Sequence, residues 1–428
     1  MKWLRQTSLA RKTIFQFLLF LLPSQLGYHI WLKSSYLFGV KVDYFAPTIY
    51  FTDVLILSLL GLLLIQKVFT KTTLIGKREA LLVGSIFLFA IINSLFATSP
   101  VIAIIKWLKI FELLFLVLYI KNEIKVNFKD LVFLPLVLGT LWTSLIGILQ
   151  FLSQKSLGGI FYFFGERTFN FSTPGIALGN FLGGFALRAY STFSHPNSFA
   201  GFLGGVLIVL ILYKTNQNKW KIIRGLAIAL ILVALYLALS RWVLISLAIT
   251  GTAILLVEKN LIKFKTTIVI LFFITFIGSL IFPVLSSIGL DENTNLPETV
   301  SERIFLSRRA LQIAAKNPLL GVGLNNYLFE LPGANTTPYT WRLQPVHNIP
   351  LLLLSEVGLT GLIFCAIFLW KCFQKTSISL ENNSYKIFTW TLFFILVTGL
   401  TDHYWVTLQQ NQLFLALILG LVLKKHKS

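Results

Sequence analysis

The chain has 428 residues, of which 56% are hydrophobic and only 12% are charged, and its mean hydropathy is +0.79. A water-soluble domain does not carry that composition, so the sequence predicts an integral membrane protein. The net charge of +21 would favour nucleic acid as a partner in a soluble protein, but here the cations form short clusters between apolar runs. That pattern indicates membrane topology and excludes a basic groove for nucleic acid.

Apolar runs of the length that crosses a hydrocarbon core recur along the whole chain. Residues Ser240 and Arg241 break the longest run, which as one helix would measure roughly 50 Å and would overshoot a single crossing. The sequence therefore predicts an all-α polytopic protein of about twelve spans, with residues 1–428 as a single membrane domain. The predicted spans are 14–32, 46–66, 79–97, 100–120, 131–153, 196–213, 222–239, 242–257, 265–288, 347–370, 386–404 and 408–423.

Lysine and arginine clusters mark alternate connections between these runs. The positive-inside rule assigns those connections and both termini to the cytoplasm. The clusters are at 67–78, 121–129, 214–224, 259–265, 371–386 and 424–427. Two long segments, 154–195 and 289–346, then lie on the extracytoplasmic side, where long loops of mixed polar and aromatic residues are typical of functional sites.

The first of these segments contains Arg188 and ends in His195-Pro196-Asn197, at the start of the sixth span. His195 and Asn197 have two readings, a helix cap at the membrane interface or a ligand contact. Arg188 lies on the side where arginine is disfavoured, so an anionic partner is expected. Arg241 has no acid within ten residues on either side, and it either binds an anion or reaches lipid phosphates.

The second segment contains an amphipathic helix, predicted from the capping-box pattern at 299–302 to the Asn-Pro pair at 317–318. Arg308, Arg309 and Lys316 fall on its polar face and are expected to be solvated or to face lipid headgroups. Arg303 falls in the middle of its apolar face, where a guanidinium requires an anion or several acceptors. A buried structural ion pair is the competing interpretation.

His347 and Asn348 open the tenth predicted span. The positive end of a helix dipole disfavours a protonated imidazole, and a neutral imidazole is what a general base needs. The alternative is an interfacial histidine without chemistry. Asp402 and His403 are expected at the end of the eleventh span on the same side, whereas no His, Cys and acidic residues have metal-ligand spacing in the sequence.

Several of these motifs together resemble the O-antigen ligase and O-antigen polymerase family of bacterial membrane glycosyltransferases. The resemblance covers a core region of about 185–360. It is carried by Arg188 to Ala200, by Ser240-Arg241, by Arg303 followed by Pro318 and Gly321-Val322-Gly323, and by His347-Asn348 followed by Glu356-Val357-Gly358. The chain lacks a second histidine close before His347, which bears on the ligase subtype.

The resemblance implies an inverting, metal-independent glycosyl transfer from an undecaprenyl-diphosphate-linked glycan, without a cofactor, at the extracytoplasmic face of the bacterial inner membrane. His347 is then the expected catalytic base. Arg188, Arg241 and Arg303 would bind the donor diphosphate, with His195, Asn197, Asn348, Asp402 and His403 as possible supporting residues. The acceptor, a lipid, a glycan or a protein, stays open, as does the choice between ligase and polymerase. A solute or ion transporter is the alternative class, favoured by the span count and by Glu112 and Glu356.

Overall fold

The computed structural model describes residues 2–73, 75–124, 129–259, 277, 298–331, 343–378 and 383–424, and this part of the chain is mostly helical. The predicted span 265–288 lies outside the described residues apart from position 277. The long helices are α1 (Lys2–Phe20), α2 (Phe51–Thr70), α3 (Lys77–Leu95), α4 (Pro100–Glu123), α5 (Leu134–Ser153), α6 (Pro196–Leu212), α7 (Asn218–Leu237), α8 (Arg241–Glu258), α9 (Glu298–Lys316), α10 (Ile349–Ile378), α11 (Asn383–Gly399) and α12 (Gln409–Leu423).

Among the described residues, six helical segments are long and apolar enough to cross a membrane. Three further apolar helices, α6, α11 and α12, are shorter. The protein is therefore a multi-pass membrane protein, while the count of about twelve spans stays a prediction. The six segments are Phe51–Thr70, Lys77–Leu95, Lys129–Ser153, Asn218–Leu237, Arg241–Glu258 and Ile349–Phe373.

Two sequence predictions about regular structure need correction. The first helix is 2–20 rather than 14–32, because the chain leaves the helix before Pro23 and continues into a strand. The described part is also not purely helical, since it contains three antiparallel strand pairs. These pairs are β1 (Gly27–His29) with β4 (Thr48–Tyr50), β2 (Tyr36–Leu37) with β3 (Val40–Lys41), and β5 (Leu178–Phe181) with β6 (Gly184–Leu187).

The β5–β6 hairpin turns through Leu182 and Gly183, both of which have positive φ angles. Two residues with positive φ form the tight turn that matches the twist of paired strands. Hydropathy over twenty residues does not detect such short strands. The hairpin matters for function because β6 leads directly to Arg188.

The break between α7 and α8 lies where Ser240 and Arg241 interrupt the apolar run. Helix α7 ends at Leu237, Leu239 has a φ angle of 48°, and α8 begins at Arg241. The prediction of two helices instead of one long helix is therefore confirmed. The turn places Ser240 and Arg241 at one tip of the helical bundle.

Helix α6 forms the centre of the core, where it packs against α7, α8 and α11 and is buried along nearly its whole length. Its glycines allow this close packing. A Cβ atom on Gly204 would lie 2.6 Å from the Phe394 ring, and one on Gly205 would lie 2.6 Å from the Phe414 ring. Small residues at helix contacts are the usual solution in membranes, where helices gain little from the hydrophobic effect.

The loops gather at one end of the bundle, called the loop end here and formed by residues 21–50, 154–195, 317–331, 343–348 and 400–408. Hydrogen bonds join these segments, such as Thr192 to the Pro23 carbonyl and Asn325 to the Tyr44 carbonyl. At the opposite end, Arg11 and Lys67 both form ion pairs with Glu123. This agrees with the expectation that the basic clusters of these helices lie on one side.

Candidate functional site

Asp402 is the centre of a polar site at the loop end. It lies in the connection between α11 and α12 and is 7% exposed. One carboxylate oxygen, Oδ1, lies 3.3 Å from Nδ1 of His347 and accepts the backbone N–H of His403 at 2.8 Å. The other, Oδ2, accepts a hydrogen bond of 3.0 Å from the Asn197 side chain. The fold therefore joins residues that are 205 positions apart in the sequence.

The pairing with a carboxylate determines which nitrogen of His347 carries its proton. An ionised carboxylate only accepts hydrogen bonds, so Nδ1 of His347 is the protonated nitrogen when the ring is neutral. Nε2 is then left as the proton acceptor. An acid that fixes the tautomer of a histidine in this way is a common arrangement in general-base catalysis.

Arg188 reaches this pair through Asn197. Its guanidinium donates to Oδ1 of Asn197 at 2.6 Å and to the Ala238 carbonyl at 2.8 Å. Ser240 donates to the same Asn197 oxygen at 3.0 Å. Asn197 thus links the arginine, the α7–α8 turn and Asp402, which favours its interpretation as a supporting residue.

Arg303 approaches the site from α9. Its guanidinium donates a hydrogen bond of 2.7 Å to the Thr401 carbonyl, directly before Asp402. Arg241 follows Ser240 at the start of α8, but its own side chain is exposed, and within the described part of the chain it has no hydrogen bond or ion pair. The structure therefore brings Arg188 and Arg303 to Asp402 and places Arg241 at the edge, where no described residue accepts a hydrogen bond from it.

The charges at the site oppose the effect of burial on Asp402. Burial alone raises the pKa of this carboxyl, but His347, His403 and Arg303 together hold the pKa well below its usual range. Burial lowers the pKa of Arg188 to about 10, which leaves the guanidinium charged at neutral pH. The site is therefore an ionised carboxylate that faces two arginines.

The other two histidines of the site are neutral. Burial lowers the pKa of both His195 and His403 to about 3, so neither ring is protonated near neutral pH. Nδ1 of His195 accepts the backbone N–H of Asn197 at 3.1 Å, which is the helix cap that the sequence offered as one of its two interpretations. His403 Nδ1 lies 2.8 Å from Oγ1 of Thr407, and its ring lies 5.2 Å from the His347 ring.

The ligand atoms of His347, Asp402 and His403 all lie within 4.8 Å of one another, an arrangement that can hold a metal ion. The sequence gave no such indication, because 55 residues separate His347 from Asp402. Two features favour a hydrogen-bonded site. Oδ1 of Asp402 is already shared by two N–H donors, and Nδ1 of His403 is already paired with Thr407.

Helix α10 begins at Ile349, so His347 precedes the helix instead of standing in its first turn. Asn348 is the residue that caps it, since its side-chain oxygen accepts the Leu351 N–H at 2.9 Å. Its side-chain nitrogen donates to the Leu400 carbonyl at 3.2 Å and joins α10 to the Asp402 connection. The neighbour that orients His347 is thus Asp402, not the helix dipole.

The glycine motifs noted in the sequence join the end of α9 to a break in α10. Gly321 and Gly358 have φ angles of 66° and 64°. A Cβ atom on Gly321 would lie 2.4 Å from the Glu356 carbonyl carbon, so only glycine allows this approach. Val322 and Gly323 donate backbone hydrogen bonds of 2.9 and 3.0 Å to α10 at Ser355 and Glu356. The motif sets the position of α9, and with it Arg303, relative to the start of α10.

One expectation for α9 is wrong. Arg309 is half-buried instead of fully solvated, because it donates two hydrogen bonds of 3.1 Å to the Glu330 and Leu331 carbonyls. Sequence periodicity placed it on the polar face but gave no sign that the 327–331 turn packs there. Lys316, by contrast, is exposed as expected.

Sequence reasoning missed the residues that surround His403. Tyr44 packs edge-on against the His403 ring at 5.9 Å, and burial raises the pKa of its phenol. Thr407 contacts the same ring, with its Oγ1 2.8 Å from Nδ1. A threonine four residues after a histidine is a weak sequence signal for such a contact. Tyr44 and His403 are 359 positions apart in the sequence, so no local pattern could predict that they meet.

The fold and the site define a multi-pass membrane protein with a His–Asp pair beside two arginines. Residues 226–366 match the model of the O-antigen ligase family. The match bears out the resemblance seen in the sequence over this third of the chain, and it includes Arg241, Arg303 and His347. Arg188, Asn197 and Asp402 lie outside the matched segment and are joined to it by the fold. No curated protein matches the chain significantly.

Proposed function

We propose that the protein transfers a glycan from an undecaprenyl-diphosphate carrier to an acceptor hydroxyl, as an O-antigen ligase or polymerase does. The observation that carries this proposal is the His347–Asp402 pair with Arg188 and Arg303 around it. A proton acceptor next to arginines suits the transfer of a sugar away from a diphosphate. The family supports a polysaccharide-building membrane glycosyltransferase.

The reaction is a single displacement. Nε2 of His347 takes the proton of the acceptor hydroxyl while its oxygen attacks the anomeric carbon from the face opposite the diphosphate. The bond between that carbon and the diphosphate oxygen breaks, and its electron pair leaves with the diphosphate. Arg188, Arg241 and Arg303 offset the developing negative charge. Attack from the opposite face inverts the anomeric configuration.

Transfer by the purified full-length protein tests this function. With a lipid-diphosphate-linked glycan as donor and a crude lipid or glycan acceptor fraction, we expect release of undecaprenyl diphosphate together with a longer or newly attached glycan. Release that requires the acceptor identifies transfer instead of hydrolysis. Uptake of a solute into proteoliposomes without any such release would favour the transporter alternative.

The arginines supply the positive charge that a metal ion would otherwise bring to the diphosphate, so we expect transfer to be independent of divalent metal. Incubation with an excess of EDTA should change the rate less than about twofold, a free-energy effect of roughly 0.4 kcal/mol or less. The measurement is initial rate before and after chelation, with zinc and magnesium added back. Loss of activity that zinc restores would assign His347, Asp402 and His403 to a metal instead.

We place the loop end on the extracytoplasmic face of the bacterial inner membrane, because Lys67, Lys121 and Lys129 of the basic clusters lie at the other end. In a variant without Cys365 and Cys372, a cysteine at exposed Ser172 should react with a membrane-impermeant maleimide added to whole cells. A cysteine at exposed Lys219 should react only after lysis. The reverse pattern would invert the topology and with it the side of the site.

A further inference from the structure

The β5–β6 hairpin presents large apolar side chains that the described part of the chain leaves exposed. Leu182 at its tip is 90% exposed, and Phe185 on β6 is 77% exposed. Residues 178–187 contain no charged side chain, and Asn180 is their only polar one. Single exposed apolar residues are ordinary on a protein, but a whole uncharged element with this exposure marks an interaction surface.

Leu182 occupies a turn position that is unfavourable for its residue type. Its φ angle is 50°, which lies in the left-handed region. Two-residue hairpin turns of this kind prefer asparagine, aspartate or glycine, because a larger side chain crowds the backbone there. The turn therefore carries a local conformational cost with a leucine at its most exposed point. A cost of this kind indicates that the leucine serves a purpose outside the turn.

Two helices set the depth of the hairpin in the membrane. Phe181 packs against Phe151 near the end of α5 and against Tyr236 near the end of α7, with ring centroids 5.0 and 5.9 Å apart. Both helices belong to segments that are long and apolar enough to cross a membrane. Tyr236 is the second-last residue of α7, roughly 1.5 Å from its end. Since such helices end near the edge of the hydrocarbon core, the hairpin tip lies at that edge.

The exposed side of the hairpin continues the surface that α7 turns towards lipid. Tyr236 is 57% exposed, and Leu232 and Val233, one turn earlier, are exposed as well. Apolar side chains on the outside of a membrane-crossing helix contact acyl chains, and tyrosine is enriched where these chains meet the headgroups. An uncharged apolar tip beside them has the same surroundings. The membrane leaflet at the loop end is therefore the partner that fits this surface.

The hairpin and Arg188 are joined as one unit. The Arg188 backbone N–H donates to the Ala177 carbonyl at 3.3 Å, which continues the pairing of β5 and β6 by one step. A Cβ atom on Gly179 would lie 3.3 Å from Cγ of Arg188, so β5 packs directly on the stem of the arginine. The depth of the hairpin in the membrane therefore sets the depth of the guanidinium.

We infer that the β5–β6 hairpin inserts Leu182 and Phe185 into the membrane leaflet at the loop end and thereby holds Arg188 at the level of the lipid headgroups. The inference rests on the proposed function, in which Arg188 binds the donor diphosphate. The diphosphate of a membrane-borne donor lies at the same level. The inserted hairpin thus presents the guanidinium where the anionic group of the donor is found.

Fluorescence quenching tests the insertion without any turnover. The full-length variant without Cys365 and Cys372 is placed in nanodiscs of phosphatidylethanolamine and phosphatidylglycerol. A single cysteine, Leu182→Cys or Phe185→Cys, carries an environment-sensitive fluorophore. We expect strong quenching by a lipid with a nitroxide near the top of its acyl chain, and weak quenching by iodide in the water.

Two positions provide matched controls for the same fluorophore. Val233→Cys on the exposed side of α7 should respond to the nitroxide lipid as the hairpin tip does. Ser172→Cys, at an exposed polar position of the same outer segment, should respond to iodide instead and shows whether the fluorophore enters lipid by itself. Iodide quenching at the tip equal to that at Ser172→Cys would overturn the inference. Protection of the tip from both quenchers would indicate a protein partner and would overturn it as well.

Leu182→Asn tests the connection to Arg188, and it suits the turn because asparagine is preferred there. A donor that binds only the inserted state is bound more weakly in proportion to the population of that state. In proteoliposomes we expect the KM for the lipid-linked donor to rise about tenfold, the scale of losing one buried leucine side chain. The kcat should stay nearly unchanged, because bound donor restores the inserted state.

Two further variants serve as controls for this change in KM. Leu182→Met keeps an apolar tip and should retain the native KM. Leu152→Asn changes an exposed leucine near the end of α5, which as a helix does not leave the membrane, and it should also retain the native KM. An equal rise in Leu152→Asn, or a native KM in Leu182→Asn, would overturn the inference.

The two experiments separate this inference from the proposed function. If glycan transfer fails in every preparation while nitroxide lipid quenches the fluorophore at Leu182→Cys, the proposed function is wrong and the insertion of the hairpin stands. If transfer occurs while the tip is quenched by iodide, the insertion is wrong and the proposed function stands.

Discussion

His347→Ala is expected to lower turnover by roughly two to four orders of magnitude, the usual effect of removing a proton acceptor. The ring stands at the loop end with its Nδ1 3.3 Å from Asp402, so Nε2 is the atom that faces an incoming hydroxyl. Donor binding should be nearly unchanged, because the arginines are untouched. Initial rates at saturating donor, together with a donor-binding measurement, separate the two effects.

Asp402→Asn tests the His347–Asp402 pair by changing the carboxylate instead of the imidazole. The amide retains the size of the carboxyl group but does not fix the imidazole tautomer, so turnover should fall by roughly 10²-fold or more with little loss of folded protein. His195→Ala is the control on the same face, since its ring accepts the Asn197 N–H as a helix cap. Near-native turnover in His347→Ala, with loss in His195→Ala, would assign the base to His195.

The pH dependence of turnover provides a second test of which residue is the general base. A neutral imidazole accepts the proton, so activity is present at neutral pH and is lost as the pH falls. The pKa values of His195 and His403 are held to about 3, so these rings are neutral throughout the range from pH 5 to 8. The pKa of Asp402 is well below its usual range, and it stays ionised there. An acid limb that persists unchanged in His403→Gln and in His195→Gln would therefore exclude both of these rings as its source.

Alanine at Arg188, Arg241 or Arg303 is expected to lower transfer by roughly 10²–10³-fold or more, the scale for removing one donor to a developing oxyanion. Lysine should restore little, because a point charge does not reproduce the fork of a guanidinium. Arg241 gives the cleanest result, since its exposed side chain has no hydrogen bond in the described part of the chain. Its loss acts on the ligand and not on the fold.

Arg188 and Arg303 require a stability control, because each also bonds a backbone carbonyl of the site. Thermal unfolding of the lysine variants should change little if the activity loss is catalytic. Lys316→Ala, at the exposed end of the same helix as Arg303, should transfer at the native rate. Full activity in all three lysine variants would mean that charge alone, or anchoring to lipid headgroups, explains these arginines.

Hydropathy and charge determined the class of this protein without further help. A helix in lipid must satisfy its own backbone, so long apolar runs have essentially one structural solution, and most predicted spans lie within a few residues of the helices. The break at Arg241 and the helix that bears Arg303 were also predicted from local signals. The first came from the length of the apolar run, and the second came from the capping-box pattern. The first helix was misplaced because Pro23 ended it before the apolar run did.

Only the tertiary structure decided which polar residues meet. Asn197 and Asp402 are far apart in the chain, and no periodicity links either of them to His347. Their contact results from the packing of α6, α10 and α11, in which glycines of α6 let the helices approach. The energy of a contact between distant residues depends on the whole set of contacts in the fold. A short sequence pattern therefore does not predict it.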